Sequence, residues 1–402
     1  MSPALPAGPQ PLAGVKVVEL THMVMGPATG AILAELGAEV VRIEPIGGDS
    51  TRHLQGSGAG YFPMFNRGKK SICLDIKKPA GLSLARRLIS MQDVLLENFR
   101  SGTLERLGLG YEALSHDNPR LIYCSEKGFL PGPYEHRTAL DEVAQMMSGL
   151  AYMTGPPGKP LRAGASVVDV AGGLFGVIAI LAALFERQAT GRGQKVSSAL
   201  FETSAYLVGQ HIAQKAVTGR AALPMPVRVS AWAIYDIFQT RDGEQLFLGV
   251  VSDNQWQRFC AAFGLQELGC DPQLATNNLR VAARNELLPR IRTLLLGFSK
   301  AELVSKLQAT ELPFAAIGRP EDLSADPHLL ASGGLAPTRL PDGTETVLPA
   351  LPIKLHDERT STSGQLAKPG EHTISVLQAA GFAAAEIETL RVQGVIVVSE
   401  PG

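Results

Sequence analysis

Between Val15 and Phe129 the chain alternates short β-branched, apolar runs with stretches of helical length. That alternation constrains its fold more than any other feature. Val15–Leu20 (VKVVEL) reads as a strand buried on both faces, Ala28–Ala38 as a helix, and Glu39–Glu44 (EVVRIE) as the next strand. Ser71–Ile76, Asp93–Phe99 (DVLLENF) and Leu121–Phe129 read as further strands. Ala80–Gln92 and a stretch ending near Pro119 supply helices between them. Strands joined through helices pair in parallel, with helices covering both faces of the sheet. The fold class is therefore α/β with a Rossmann-like parallel sheet. Ligands of such sheets bind beyond the carboxyl ends of the strands. The segments after Leu20, Glu44, Phe99 and Lys127 are the places to look for a site.

Farther along, Asp141–Tyr152 and Val170–Arg187 read as helices, Gln194–Leu200 as a strand and Phe201–Val217 as a helix. Arg220–Val229, rich in Ala, Pro and Arg, reads as a linker. Trp232–Gln239 and Gln245–Val251 form a hairpin around Arg241-Asp242-Gly243. Helices follow near Asn254–Phe263, Glu286–Phe298 and Lys300–Gln308. At 402 residues the chain exceeds one ordinary core. The expected organisation is a large domain begun by residues 1–224, a smaller α+β domain over 225–330, and a return to the large domain over 331–402. That last part carries a strand pair around Pro341-Asp342-Gly343, two short helices and Val395–Val398. Met1–Leu12 lacks the basic start and apolar core of a signal peptide and reads as a tail. The apolar run Val170–Phe185 is short for a bilayer and reads as a buried helix.

Charge and cysteine content narrow the function. A net charge of −1 offers no overall attraction to nucleic acid or to an anionic membrane. Cys73, Cys124, Cys260 and Cys270 show no CxxC spacing, which argues against a disulfide framework or a structural zinc site and suits a reducing cytoplasm. No GxGxxG or Walker sequence follows a strand. Gly26-Pro27 reads as a tight turn opening a helix, where backbone amides also suit an anion. Asn66-Arg67-Gly68-Lys69-Lys70 reads either as a solvated loop or, with Lys77 and Arg106, as a diphosphate-binding loop. Phe99 either covers an adenine or caps the core. The eight histidines show no metal spacing. His22 and His136, although near candidate loops, read as surface or satisfied buried residues.

Asp169 precedes the apolar stretch Val170-Ala171-Gly172-Gly173-Leu174-Phe175. One reading is an N-cap. The other is a nucleophile that the helix dipole keeps ionised, so that attack on a thioester needs no partner base. Gly172 and Gly173 would then leave room for a bulky substrate.

Several blocks occur in an order that resembles the family III CoA-transferases, the group that includes formyl-CoA transferase, carnitine CoA-transferase and succinate-using enzymes. They are VKVVELTHMVMGPATGAILAELGAEVVRIE, MFNRGKKSICLDIKKPAG, VLLENFRSGTLERLGLGYEAL, NPRLIYCSEKGF, GASVVDVAGGLFGVIAILAAL, TGRGQKVSSALFE and the closing GEHT. The resemblance implies Asp169 as the catalytic aspartate. It implies CoA contacts at Met23, Val24, Leu74, Lys77, Asn98, Phe99 and Arg106, a basic residue at Arg137, and an acidic residue, Asp141, near the thioester. It also implies an interlocked homodimer of two ring-like chains, a CoA thioester as substrate, no permanently bound cofactor and no metal. The glycine-rich loop that some members carry is missing. Arg228-Val229-Ser230-Ala231-Trp232 stands in its neighbourhood, and Pro45 stands where some relatives place an arginine.

The implied reaction is CoA transfer through an aspartyl-CoA thioester, with backbone amides near Asp169 holding the oxyanions. Succinyl-CoA and small dicarboxylates or analogues such as itaconate, glutarate or 3-sulfinopropionate would suit, with His22, Arg52, Arg137 and Lys215 as cations for a second acid group. One rival is an α-methylacyl-CoA racemase. Leu140 stands where that chemistry needs a histidine, and an aliphatic side chain moves no protons. The other rival is a non-catalytic CoA-binding protein in which Asp169 is only a cap.

Overall fold

The computed structural model describes residues 8–228, 230–360 and 364–399. Most of the expected N-terminal tail, and Val229 in the loop region, lie outside the described residues. The chain divides into two compact units. One joins the stretch up to Pro226 with the stretch from Ser324 onward, and the other is Val227–Leu323.

The first unit is built on six parallel strands: β1 (Lys16–Leu20), β2 (Glu39–Glu44), β3 (Lys70–Leu74), β4 (Val94–Glu97), β5 (Ile122–Lys127) and β6 (Lys195–Ala199). Their order is β3-β2-β1-β4-β5-β6. The direction of winding reverses between β1 and β4, so a crevice opens beyond the carboxyl ends of these two strands. A short strand, Ile396–Val397, adds antiparallel to β3 at the sheet edge.

Alternation along the strands feeds two cores. Val18, Val41, Ile72, Leu95 and Tyr123 face Leu84, Leu88 and Ile89 of the helix Pro79–Ser90. Val17, Val40, Leu96, Ile122 and Cys124 face Leu33 and Ala34 of the helix Met25–Glu35, and Val177, Ile180 and Ala183 of the helix Val167–Thr190.

Helix boundaries differ from expectation for local reasons. The first helix begins at Met25, because Pro27 sits in the first turn, where its missing N–H costs nothing. The helix from Asp141 stops at Ser148, where Gly149 adopts φ 87°, and restarts at Leu150. The stretch after β6 breaks at Val208 into Leu200–Leu207 and Gly209–Thr218. The helix Val167–Thr190 runs 24 residues, long and apolar enough to cross a membrane by length and composition alone. Within this chain it is not fully buried. One side packs on the sheet, and Leu174, Ile178, Leu181 and Phe185 form an exposed stripe.

Two of the three cations at the entry to β3, Arg67 and Lys69, are neither solvated nor turned toward a ligand, whereas Lys70 has a solvent-exposed side chain paired with Glu39 (3.0 Å). Lys69 Nζ is buried and donates to Glu19 (2.9 Å) and to the Pro27 carbonyl (2.8 Å). Arg67 donates to the Pro349 carbonyl (2.7 Å) and to Thr338 (3.3 Å), tying the C-terminal stretch to the sheet. Arg42 pairs with Glu19 (2.7 Å) and with Asp49. Arg52 pairs with Glu44 (2.5 Å), which also accepts from Ser71 (2.6 Å). Removing one member of such a buried pair strands its partner, at a cost of about 3–5 kcal/mol.

The second unit carries an antiparallel sheet of β7 (Ile234–Gln239), β8 (Gln245–Val250) and β9 (Phe314–Ala316), in that order. Phe238, Leu246, Trp256, Phe259, Ile291 and Leu303 fill its core. Its helix Lys300–Gln308 begins with a capping box between Ser299 and Glu302.

Candidate active site

A cavity of about 620 Å³ lies in the first unit at the switch point of the sheet. Its wall is assembled from the segments after β1, β4 and β5 and from the start of the helix Val167–Thr190.

The segment after β1 carries His22, Met23 and Val24 into the wall. Met23 sits at φ 65°, a conformation that costs a non-glycine residue about 1–2 kcal/mol. Asn98 holds the segment in place: its Oδ1 accepts from the His22 N–H (3.0 Å) and its Nδ2 donates to the His22 carbonyl (2.8 Å). Asn98 thus lines the cavity while its amide positions the loop. Phe99 lies beside it, its ring 6.0 Å from that of His22. Lys127 points its ammonium at Glu97 (2.6 Å) and at the Phe99 carbonyl (2.6 Å), so its charge is already matched. Arg100, Arg106 and Arg137 line the same cavity, are exposed, and form no ion pair among the described residues. Arg106 touches Thr103 and Arg137 lies over the Tyr134 ring. Their free donors suit phosphate oxygens.

Asp169 occupies the first turn of its helix, three residues beyond the N-cap, Ser166. It is not the cap. Asp141 caps the helix from another element: its Oδ2 accepts from the N–H groups of Val168 (2.9 Å) and Asp169 (3.1 Å), and its Oδ1 from Gln145 (2.5 Å). Asp141 is therefore at the cavity, yet its oxygens serve the helix start. Those two amides are consequently not free to hold an oxyanion, contrary to expectation.

The ionisation of Asp169 is also corrected. Burial, then the charges of Asp141 and Glu142, push its carboxyl up to about 7, with Arg162 opposing. The helix start is therefore opposed by burial and by two acidic neighbours in setting its charge. Among the described residues its carboxylate has no hydrogen-bond partner. Gly172 and Gly173 do not open space for a substrate. A Cβ at Gly172 would lie 2.7 Å from Met25 Cε, and one at Gly173 2.9 Å from the Met25 carbonyl, so both glycines serve close helix packing.

Of the remaining residues expected at the site, Leu74 is packed in the core, and Lys77 is exposed in the turn after β3. Neither lines the cavity. Arg52 is committed to Glu44, and Lys215 lies on an exposed helix away from the wall. His22 and His136 both line it, and burial lowers the His22 pKa.

Glu126 went unnoticed in the sequence. It is the last core-facing position of β5, two residues after Cys124. A carboxylate at that point of an otherwise apolar strand face was the available signal. Its Oε1 lies 2.5 Å from Thr29 Oγ1, and its Oε2 is buried with no partner among the described residues.

Among known proteins, residues 12–373 match the family model described as CoA-transferase family III. The chain is 34% identical over 401 residues to a succinate–glutarate CoA-transferase of Agrobacterium fabrum, covering 96% of this chain and 98% of that one. It is 32% identical to a formyl-CoA:oxalate CoA-transferase of Streptomyces avermitilis, covering 96% and 99%. The crystal structure of a CAIB/BAIF family protein from Brucella suis superposes with a TM-score of 0.81 at 33% identity, covering 92% and 100%.

Proposed function

The chain belongs to CoA-transferase family III and is a CoA-transferase; we propose that it moves CoA from succinyl-CoA to a small dicarboxylic acid or analogue, through a thioester on Asp169. The observation that carries this reading is the Asp169 carboxylate, half-buried and without a hydrogen-bond partner among the described residues, at a cavity bordered by exposed guanidinium groups.

The steps balance without proton transfer. An ionised Asp169 oxygen attacks the thioester carbonyl and the C–S bond breaks, giving a mixed anhydride and CoA thiolate. The thiolate attacks the aspartyl carbonyl, which releases the donor carboxylate and leaves aspartyl-CoA. The acceptor carboxylate attacks that carbonyl and expels the thiolate again. The thiolate then takes the acceptor acyl group and restores Asp169. Desolvation favours the first step, since a poorly solvated carboxylate is the stronger nucleophile once ionised.

In this reading Arg100, Arg106 and Arg137 hold the phosphates, Phe99 covers the adenine, and Met23 and Val24 flank the pantetheine arm. Acceptors named for relatives, glutarate, D-citramalate and L-malate, support a dicarboxylate. The exposed stripe Leu174, Ile178, Leu181 and Phe185, with Ile212 and Val217 also exposed on another helix, supports a homodimer interface, which we take to be the interlocked one. The four free cysteines support a cytoplasmic setting.

The test is chemical. Hydroxylamine added with acyl-CoA should convert Asp169 alone to a hydroxamate, found by peptide mass mapping. An unmodified Asp169 in an active enzyme would overturn the covalent route. Binding of acyl-CoA without transfer to any acid would instead favour a non-catalytic CoA-binding protein.

A further inference from the structure

Thr29 Oγ1 has one proton and three oxygens within reach: Gly173 O at 3.0 Å, Met25 O at 3.3 Å and Glu126 Oε1 at 2.5 Å. The two peptide carbonyls can only accept. If Thr29 donates to Gly173, the short contact to Glu126 requires a proton on Glu126 Oε1. Thr29 donates to Glu126 Oε1 when that carboxyl is ionised; when Glu126 is protonated, a chain from Glu126 Oε1–H through Thr29 to the Gly173 carbonyl satisfies both close contacts at once. It leaves Glu126 Oε2 as a carbonyl-type acceptor, buried and without a partner, on a residue that lines the cavity. A buried acceptor left empty is unfavourable, and a substrate hydroxyl that reached it from the cavity would relieve that cost.

We propose that Glu126 Oε2 is a specificity subsite, accepting a hydrogen bond from a hydroxyl on the acid that Asp169 serves, so that hydroxy acids are preferred over their unsubstituted counterparts. The inference rests on the transferase reading above. Asp169 and Gly176 lie seven residues apart on one helix face, about 10 Å along the axis. Glu126 Oε1 lies where a Cβ at Gly176 would come within 2.2 Å, so the subsite faces the helix two turns beyond the nucleophile. A second carboxylate would be a poor occupant, because it has no proton to offer a carbonyl oxygen. An alcohol has one.

The charges around Glu126 agree with a neutral acid. Burial pushes its pKa up to about 8, the Thr29 hydrogen bond opposes this, and Glu97, Glu19 and Asp169 add to it. Lys127 and Lys69 do not offset them, since each is bonded to Glu97 or Glu19.

The experiment compares acceptors in pairs, succinate with malate and glutarate with 2- and 3-hydroxyglutarate, using succinyl-CoA and the full chain. Wild type should show kcat/KM about tenfold higher for the hydroxylated member of at least one pair. Glu126→Leu should erase that preference, lowering kcat/KM for the hydroxy acid more than for the plain acid. Glu126→Gln, whose amide can donate to Thr29 and turn its carbonyl to the cavity, should keep it. Above about pH 8 the wild-type KM for the hydroxy acid should rise as Glu126 ionises beside an anionic acid, and the Gln variant should stay flat.

Equal preference in all three proteins overturns the subsite and leaves the transferase reading standing. An equal loss of both members of a pair in the Gln and Leu variants shows a structural role and overturns it too. A wild type that transfers CoA to no acid at all takes down the transferase reading, and the subsite with it.

Discussion

Two clusters of buried ionisable side chains touch the helix Met25–Glu35, and they behave as opposites. In the first, Glu19, Arg42, Lys69, Asp49 and Glu44 are matched positive to negative. Burial alone would raise Glu44 and Asp49, yet Arg52 and Ser71 on one, and Arg42 and Thr51 on the other, hold both below the ordinary carboxylate range. In the second, Glu126 is fully buried and Asp169 half-buried, both have acidic neighbours, and burial pushes them up to about 8 and about 7. Burial therefore does not decide whether a carboxyl is inert. The sign of what surrounds it does. The matched cluster ties β1, β2 and the loop before β3 together. The unmatched one leaves acids with something still to react with.

The sharpest break between the two clusters is Asp169→Ala. Transfer should fall by at least about a thousandfold, while circular dichroism and oligomer size stay unchanged. Full activity in the folded variant would sink the assignment. The mirror experiment is Lys69→Met, which leaves Glu19 half-matched. Unfolding in urea should show a loss of about 3–5 kcal/mol, and a loss below about 1 kcal/mol would mean that the matched cluster is not structural.

Asp169→Asn should act the other way on stability. The native state holds a proton on Asp169 up to about pH 7 that the unfolded chain, near 3.8, has already shed. Wild-type stability from this group is thus full below about pH 4 and is lost as pH rises to 7. An amide carries no such dependence, so the variant should be more stable than wild type at pH 8, by at most about 4 kcal/mol, with the gap closing by pH 4. A gap independent of pH would break the link to ionisation.

The same carboxyl should shape the rate. Because attack needs the ionised form, kcat/KM for acyl-CoA should drop about tenfold per pH unit below about 7 and level off above it. The smallest effect is expected from Arg162→Gln. Arg162 opposes the rise in Asp169, so the rate midpoint should move to higher pH, and a move to lower pH would contradict the assigned cause.

What the sequence made legible follows the range of the forces involved. Glu39–Glu44 coincides with β2, and β1, β4, β5 and β6 lie within the expected stretches, because a run of buried β-branched residues declares itself locally. The cations of Asn66–Lys70 were misread because their partners are distant in sequence, Glu19 fifty residues earlier and Pro349 far later. Asp169 stood out through the ordered blocks around it. Its charge state did not, since Asp141, 28 residues earlier, both caps the helix and repels the carboxyl. Glu126 was hidden for the same reason, its partner Thr29 lying 97 positions away.

The strand Ile396–Val397 carries a consequence for the order in which the molecule is made. It completes the sheet beyond β3, yet the ribosome reaches it roughly 320 residues after Leu74. At the ordinary pace of translation that interval is on the order of tens of seconds. Throughout it, the outer edge of β3 waits without the partner it will have in the finished protein, and an open edge is a template for any passing strand. Lys69, just before β3, makes one buried ion pair with Glu19 (2.9 Å), a residue synthesised before it, so this tie between β1 and the edge strand needs nothing from the C-terminal stretch.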